Sequence, residues 1–140
     1  LGPALARAGF EVRVNLDAAG VAALMDASHV LVLPSRSEGT PLVVQEALCR
    51  GLPVIASAVG GVGELVRSGR EGLLLAPPVG GRALAQSIAE LYDAPELRAA
   101  LAGRAGARGA EVRAARETAA SFRRTLAAWE SVRGGPPSTP

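Results

Sequence analysis

Three short apolar runs constrain this chain more than any other feature. His29-Val30-Leu31-Val32-Leu33 ends at Pro34, Pro53 to Ala56 reads PVIA, and Leu73-Leu74-Leu75 follows Gly72. None alternates with polar residues, so the first two read as strands buried on both faces and the third as a further strand. The first and second runs are separated by a helical stretch. Thr40 is its expected cap, Pro41 its first helical position and Gly51 its end. The second and third are separated by a glycine-rich turn, Val59-Gly60-Gly61-Val62-Gly63, and a short helix around Glu64 to Val66. Strand, helix, strand, helix, strand with short connections specifies right-handed parallel βαβ units.

The flanks extend the pattern. Phe10 to Leu16 (FEVRVNL) alternates and reads as a further strand, and Ala18 to Ser28 as a short helix with Val21, Leu24 and Met25 on one side. From Arg82 onward the sequence is helical. Leu84, Ile88 and Leu91 mark one helix, Pro95 opens a second, and a third runs from about Glu111 to Val132 with Phe122, Leu126 and Trp129 on one stripe. Residues 1–133 read as one partial domain, and residues 134–140 (GGPPSTP ends the chain) as a disordered tail. The fold class is α/β, a Rossmann-like parallel sheet with flanking helices followed by C-terminal helices.

Composition narrows the function. Aromatics make up only 3% of residues, so Ala, Leu and Val fill the core and the helices must pack closely. A net charge of +2 gives no case for nucleic acid or a membrane surface. All 15 basic residues are Arg, which reads as a compositional habit, although the guanidinium fork suits phosphate. A single cysteine, Cys49, excludes an internal disulfide and fits a reducing, cytoplasmic setting. No apolar run reaches the roughly 20 residues that span a bilayer. The chain opens at Leu1 rather than Met, so it is expected to be part of a longer protein.

The chemistry concentrates in Ser35 to Leu48, SRSEGTPLVVQEAL. Ligands of open parallel sheets bind beyond the carboxyl ends of the strands, and this loop lies there. It enters a helix N-terminus, where free N–H groups and the positive dipole end favour an anion. Pro41 has no N–H, so Leu42 and Val43 are the nearest donors. Val43, Val44, Ala47 and Leu48 share the sheet-facing side, and Leu42, Gln45, Glu46 and Cys49 lie on a neighbouring strip. Side chains on a helix lean back toward its N-terminus, so Glu46 reaches toward the ligand edge, while Glu38 sits on the loop itself. Two carboxylates repel a phosphate between them but match hydroxyls on either side of it. A ribose and a hexose joined through a diphosphate have that form. Taken singly, each glutamate has a plainer reading: a solvated loop acid, and an acid favoured near a helix start.

The block PSRSEGTPLVVQEALCRGLPVIASAVGGVGELVRSGREGLLLAPP resembles the nucleotide-sugar-binding lobe of retaining glycosyltransferases of the two-domain GT-B fold. This is the large family that includes sucrose synthases and bacterial mannosyl- and glucosyltransferases. The resemblance runs from about Val30 to Leu91. It is carried by Pro-Ser after a strand, two Glu with seven residues between them, Gly-x-Pro-Val, Gly-Gly-x-x-Glu and Gly-x-x-Gly, in that order. It implies that the chain is the C-terminal half of one GT-B lobe. It implies that Glu38, the candidate catalytic-site residue, holds hydroxyls of the transferred sugar and Glu46 the ribose. Gly39, Thr40, Leu42 and Val43 would line the sugar and diphosphate with backbone amides. The implied reaction is hexosyl transfer with retention from a UDP- or GDP-sugar to an acceptor that could be a saccharide, a lipid or a small molecule. No metal and no other cofactor is implied, and no nucleic acid.

The sequence also departs from the family. Thr40-Pro41 stands where relatives carry an aromatic residue and Gly, Gly63 where they often carry Pro, and Gly80-Gly81 where an Asp often precedes the helix. The family's basic pair on the diphosphate and its N-terminal acceptor domain are absent from these residues, which alone are not expected to suffice for transfer. That acceptor domain is the expected partner and could place the whole protein at the inner membrane. The rivals are an epimerase or phosphorylase of similar architecture and a non-catalytic nucleotide- or partner-binding remnant. Gly60 and Gly61 read equally as a tight turn or as a close approach to the donor sugar. Arg36 is the basic residue nearest the ligand edge, His29 a strand-entry residue and Cys49 a packing residue. Asn15-Leu16-Asp17 are placed near the base on position alone.

Overall fold

The computed structural model describes residues 9–132, with side chains through residue 127. Its elements in order are α1 (Ala18–Asp26), β1 (Leu31–Leu33), α2 (Leu42–Cys49), β2 (Val54–Ser57), α3 (Val62–Leu65), β3 (Gly72–Leu75), α4 (Gly81–Asp93) and α5 (Pro95–Val132). The three strands form one parallel sheet in the order β1-β2-β3. Leu33 pairs with Ala56 and Ser57 with Leu75. Each apolar run is therefore a strand, as its lack of alternation requires. β2 is buried along its whole length, because it has neighbours on both edges and helices on both faces.

Two apolar layers sandwich the sheet. On one side Val54 and Ala56 pack with Val44, Ala47, Leu48, Leu52, Val62, Val66 and Ala105. On the other Ile55 packs with Leu91 and Leu101, and Leu73, Leu75 and Leu84 close around them. The scarcity of aromatics is met by close backbone approach. A Cβ on Gly109 would lie 2.3 Å from the Leu48 carbonyl oxygen, and a Cβ on Gly72 1.9 Å from that of Val54. Glycine at these positions lets α5 lie against α2, and β3 against β2, closer than any side chain permits. Gly51, at φ +67°, ends α2 by donating its N–H to Leu48 O.

Four expectations change. Phe10 to Leu16 forms no strand, and Phe10, Val12, Val14 and Leu16 are exposed. The helices expected from Pro95 and from Glu111 are one continuous α5. Within its stripe Phe122 and Leu126 are exposed; the Trp129 side chain and residues 134–140 fall outside what is described. Thr40 does not cap α2. Pro41, in extended conformation, takes the cap position without a side-chain bond, so the helix starts one residue later.

The arginines find a structural use. Arg98 donates to Leu91 O at 2.7 Å, Arg104 to Arg70 O at 2.8 Å and Arg108 to Glu64 O at 2.7 Å. One face of α5 thus satisfies carbonyls at the ends of α4 and α3 and in the turn before β3. The planar fork reaches such carbonyls without losing its charge.

Candidate functional site

The loop from Pro34 to Pro41 joins the carboxyl end of β1 to α2, so it lies where a parallel sheet presents its ligand edge. Its shape is set by contact with the turn after β2. Gly61 donates its N–H to Gly39 O at 2.8 Å. Gly60 has φ +51°, and a Cβ there would stand 1.7 Å from the Glu38 carbonyl oxygen; a Cβ on Gly61 would stand 2.6 Å from that of Gly39. The two glycines are therefore the seat on which the Glu38-Gly39 backbone rests. This third role was missed from sequence. The two loops are about 20 residues apart in the chain, and no local pattern records that they touch.

Glu38 is half-buried on this pinned loop. With Pro41 in the cap position, Leu42, Val43 and Val44 open α2, and none of their N–H groups has a partner among the described residues. These are the orphan donors of a helix start, on which an anion is stabilised. Val44, Ala47 and Leu48 are fully buried and clamp the helix to the sheet. Glu46, on the far side, is exposed. Glu46 follows Leu42 by four residues, about 6 Å along the axis. The expected site residues Glu38, Gly39, Thr40, Leu42, Val43 and Glu46 thus fall on one loop–helix junction. Thr40 is exposed and faces the glycine turn, its Oγ1 being 3.3 Å from where a Gly61 Cβ would lie.

Neighbouring acids have other duties. Glu71 is 1% exposed, and its carboxylate is gripped by the Arg67 guanidinium and by the Arg67 backbone N–H at 2.8 Å. Burial pushes this carboxyl up, but the Arg67 hydrogen bonds and charge outweigh it and hold the group below its ordinary value. It orders the turn into β3, and its place on the α3–β3 connection sets it apart from the Glu38 loop. Asp17 caps α1 through Gly20 N at 2.8 Å, and Asn15 beside it adopts φ +56°. Cys49 packs between α2 and α5, donating to Gly109 O. His29 lies before β1, at the edge of the sheet away from the glutamates.

Comparison with known proteins gives the family and the fold. The model of the glycosyl transferases group 1 family matches residues 8–108. A D-inositol 3-phosphate glycosyltransferase of Streptomyces scabiei is 41% identical over 83 residues, 58% of this chain and 18% of that protein. Sucrose-phosphate synthase from Thermosynechococcus elongatus superposes with a TM-score of 0.69 at 32% identity, covering 81% of this chain and 29% of that one. Anabaena HepE, in complex with UDP-glucose, superposes at 0.70 with 28% identity, covering 85% and 34%. The chain therefore spans between 18% and 34% of the length of these relatives. The family match covers well over half of it, and its three-stranded parallel sheet is shared with GT-B structures: the chain belongs to the glycosyl transferases group 1 family.

Proposed function

We propose that this chain is the donor-binding part of a retaining hexosyltransferase. Glu46 accepts the ribose hydroxyls of a nucleotide-diphosphate sugar, the N–H groups of Leu42 and Val43 receive the diphosphate, and Glu38 accepts hydroxyls of the transferred sugar. Gly39 and Thr40 line the sugar between them. The observation that carries the reading is the fixed relation of the two carboxylates. One stands on a loop that cannot shift without displacing Gly60 and Gly61, and the other a turn down a helix whose free amides lie between them. HepE was seen with UDP-glucose, which supports a UDP-sugar donor, with a GDP-sugar as the alternative.

In this reading the bond from the sugar's anomeric carbon to the phosphate breaks, and the acceptor oxygen bonds to that carbon on the same face. The acceptor's proton passes to the departing phosphate oxygen. Glu38 positions the sugar and stabilises its developing positive charge and is not a covalent nucleophile. A saccharide, lipid or small-molecule acceptor is presented by a separate domain; the protein works in the cytoplasm, or at the inner membrane where that domain carries it.

Calorimetric titration of the chain with UDP and UDP-glucose tests the assignment. Loss of a charge-assisted hydrogen-bond pair is worth about 1.5–3 kcal/mol, or roughly 10- to 100-fold in affinity. Glu46→Ala is expected to weaken both ligands by such a factor, and Glu38→Ala to weaken UDP-glucose while leaving UDP unchanged. Equal losses for both ligands in Glu38→Ala would sink the division of roles.

A further inference from the structure

The carboxyl end of the sheet carries a second concavity. Pro34, Ser35 and Arg36 after β1 and Pro77, Pro78 and Val79 after β3 line a recess of about 520 Å³. Its two walls follow the outer strands, so it bridges the end of β2. Strand alternation tells which face it overlies. Val54 and Ala56 point to α2, and Ile55 points to the α4 side. Ser57, two residues beyond Ile55, points to the α4 side too, opposite its register partner Leu75. One step past the Leu33–Ala56 pair, its other neighbour is Pro34, a wall of the recess.

Ser57 is 1% exposed, and its Oγ is a buried side-chain atom with no hydrogen-bond partner among the described residues. Such an unmatched hydroxyl is costly and rare enough to call for a reason. Arg36 is exposed and makes no ion pair or hydrogen bond among the described residues, although Glu38 is two residues away. The recess thus combines proline and valine walls with a free guanidinium fork and the Ser35 side of the loop; Ser57 lies at the end of β2 and does not line it. Mostly apolar walls with a few convergent polar groups are the composition of a small-molecule site. The fork selects a planar carboxylate or a phosphate. The recess is lined by Pro34 to Arg36, before Glu38, whereas the start of α2, where the donor's diphosphate is assigned, follows Glu38. The two features therefore flank the Glu38 loop.

We infer that this recess is an acceptor subsite, which takes an acceptor with an apolar body and an anionic group held by Arg36. The acceptor role rests on the donor reading above, because Glu38 would present the donor sugar to it; the anion site itself does not.

Two-dimensional NMR of the labelled chain separates these claims. Phenyl phosphate, benzoate, inorganic phosphate and the neutral phenyl β-glucoside are titrated in turn. Phenyl phosphate and benzoate are expected to shift the amides of Ser35, Arg36 and Val79 and the Arg36 Nε–H. They should bind several-fold tighter than inorganic phosphate, and the glucoside should leave these signals unmoved. Arg36→Gln should weaken phenyl phosphate at least tenfold, with Arg36→Lys intermediate and Glu46→Ala without effect. UDP-glucose should shift Leu42, Val43 and Glu46 and still allow phenyl phosphate to bind. If the donor signals stay still while the recess responds, the donor reading fails and the anion site stands. Competition between the two ligands would overturn the acceptor assignment, since the recess would then be taking the donor's own phosphate. Equal binding of the glucoside, or an unchanged affinity in Arg36→Gln, would overturn the site.

Discussion

Gly60→Ala probes the contact on which the site's geometry depends. At φ +51° an L residue is strained by about 1–2 kcal/mol before it touches anything. The new methyl would then stand 1.7 Å from the Glu38 carbonyl oxygen, where ordinary contact begins near 3.4 Å. The obstacle is main chain and cannot rotate aside. One of the two loops must retreat by an amount comparable to the overlap, and the 2.8 Å bond from Gly61 N to Gly39 O breaks with it. That bond is worth about 0.5–1.5 kcal/mol. The expected loss is about 2–4 kcal/mol, a large part of the 5–15 kcal/mol of a typical domain. Urea unfolding measures it, and calorimetry measures the site. UDP-glucose should bind about as weakly as it does to Glu38→Ala, while UDP affinity holds, because Glu46 is carried by a helix anchored separately through Val44, Ala47 and Leu48. Gly63→Ala is the control. It lies in α3 with nothing within 4 Å of the added carbon, so it should be neutral or stabilising by up to about 1 kcal/mol. An unchanged urea midpoint in Gly60→Ala, or equal losses for UDP and UDP-glucose in the folded variant, would refute the reasoning.

Glycine-to-alanine exchanges in α5 should differ in sign. Gly103→Ala meets nothing within 4 Å and should gain up to about 1 kcal/mol, whereas Gly109→Ala would drive α5 off the Leu48 and Cys49 backbone and lower the melting temperature. Glu71→Gln should lose about 1–3 kcal/mol at pH 7, since it breaks the grip of Arg67 on a buried group. The folded Glu71 carboxyl is held below its ordinary value, so it binds fewer protons folded than unfolded in the acid range. Its contribution is complete above the ordinary carboxylate value of about 4.3 and is lost as pH falls through the folded value. Unfolding midpoints measured from pH 7 downward should fall less steeply in Glu71→Gln than in the parent chain.

The strands were legible because a parallel strand between helical layers leaves an uninterrupted apolar run, as Val30–Leu33, Pro53–Ala56 and Leu73–Leu75 do, although only β2 is buried along its whole length and Val32 of β1 is exposed. The site junction was legible too, because a loop ending in Thr-Pro before an apolar helix is local information. Tertiary facts were not. Gly106 and Gly109 dilute the helical pattern between Pro95 and Glu111, and only the packing shows why Gly109 is there: α5 passes the end of α2 at Leu48 and Cys49, where a Cβ has no room. The pairing of Glu71 with Arg67 is local in sequence, yet its burial depends on α5 covering the turn through Arg104.

Phe10–Leu16 shows how a period-2 pattern can fail to yield a strand. In the doubly wound order 3-2-1-4-5-6, the observed β1-β2-β3 order corresponds to the last three strands, and the alternating segment just before α1 corresponds to the third. The third strand does not touch the fourth; the first and second stand between them. Among the described residues neither is present, so FEVRVNL has no ladder to join and leaves Phe10 63% and Val14 73% exposed. Among the described residues the outer side of β1 is unpaired, and beside it Val32, Ile88 and Tyr92 border a recess of about 850 Å³. An isolated strand gains nothing from its β propensity without a neighbour to bond, because the preference of Val and Phe for strands is mostly a preference for packing on an existing pleated surface. The period-2 pattern alone is therefore not enough to make Phe10–Leu16 a strand.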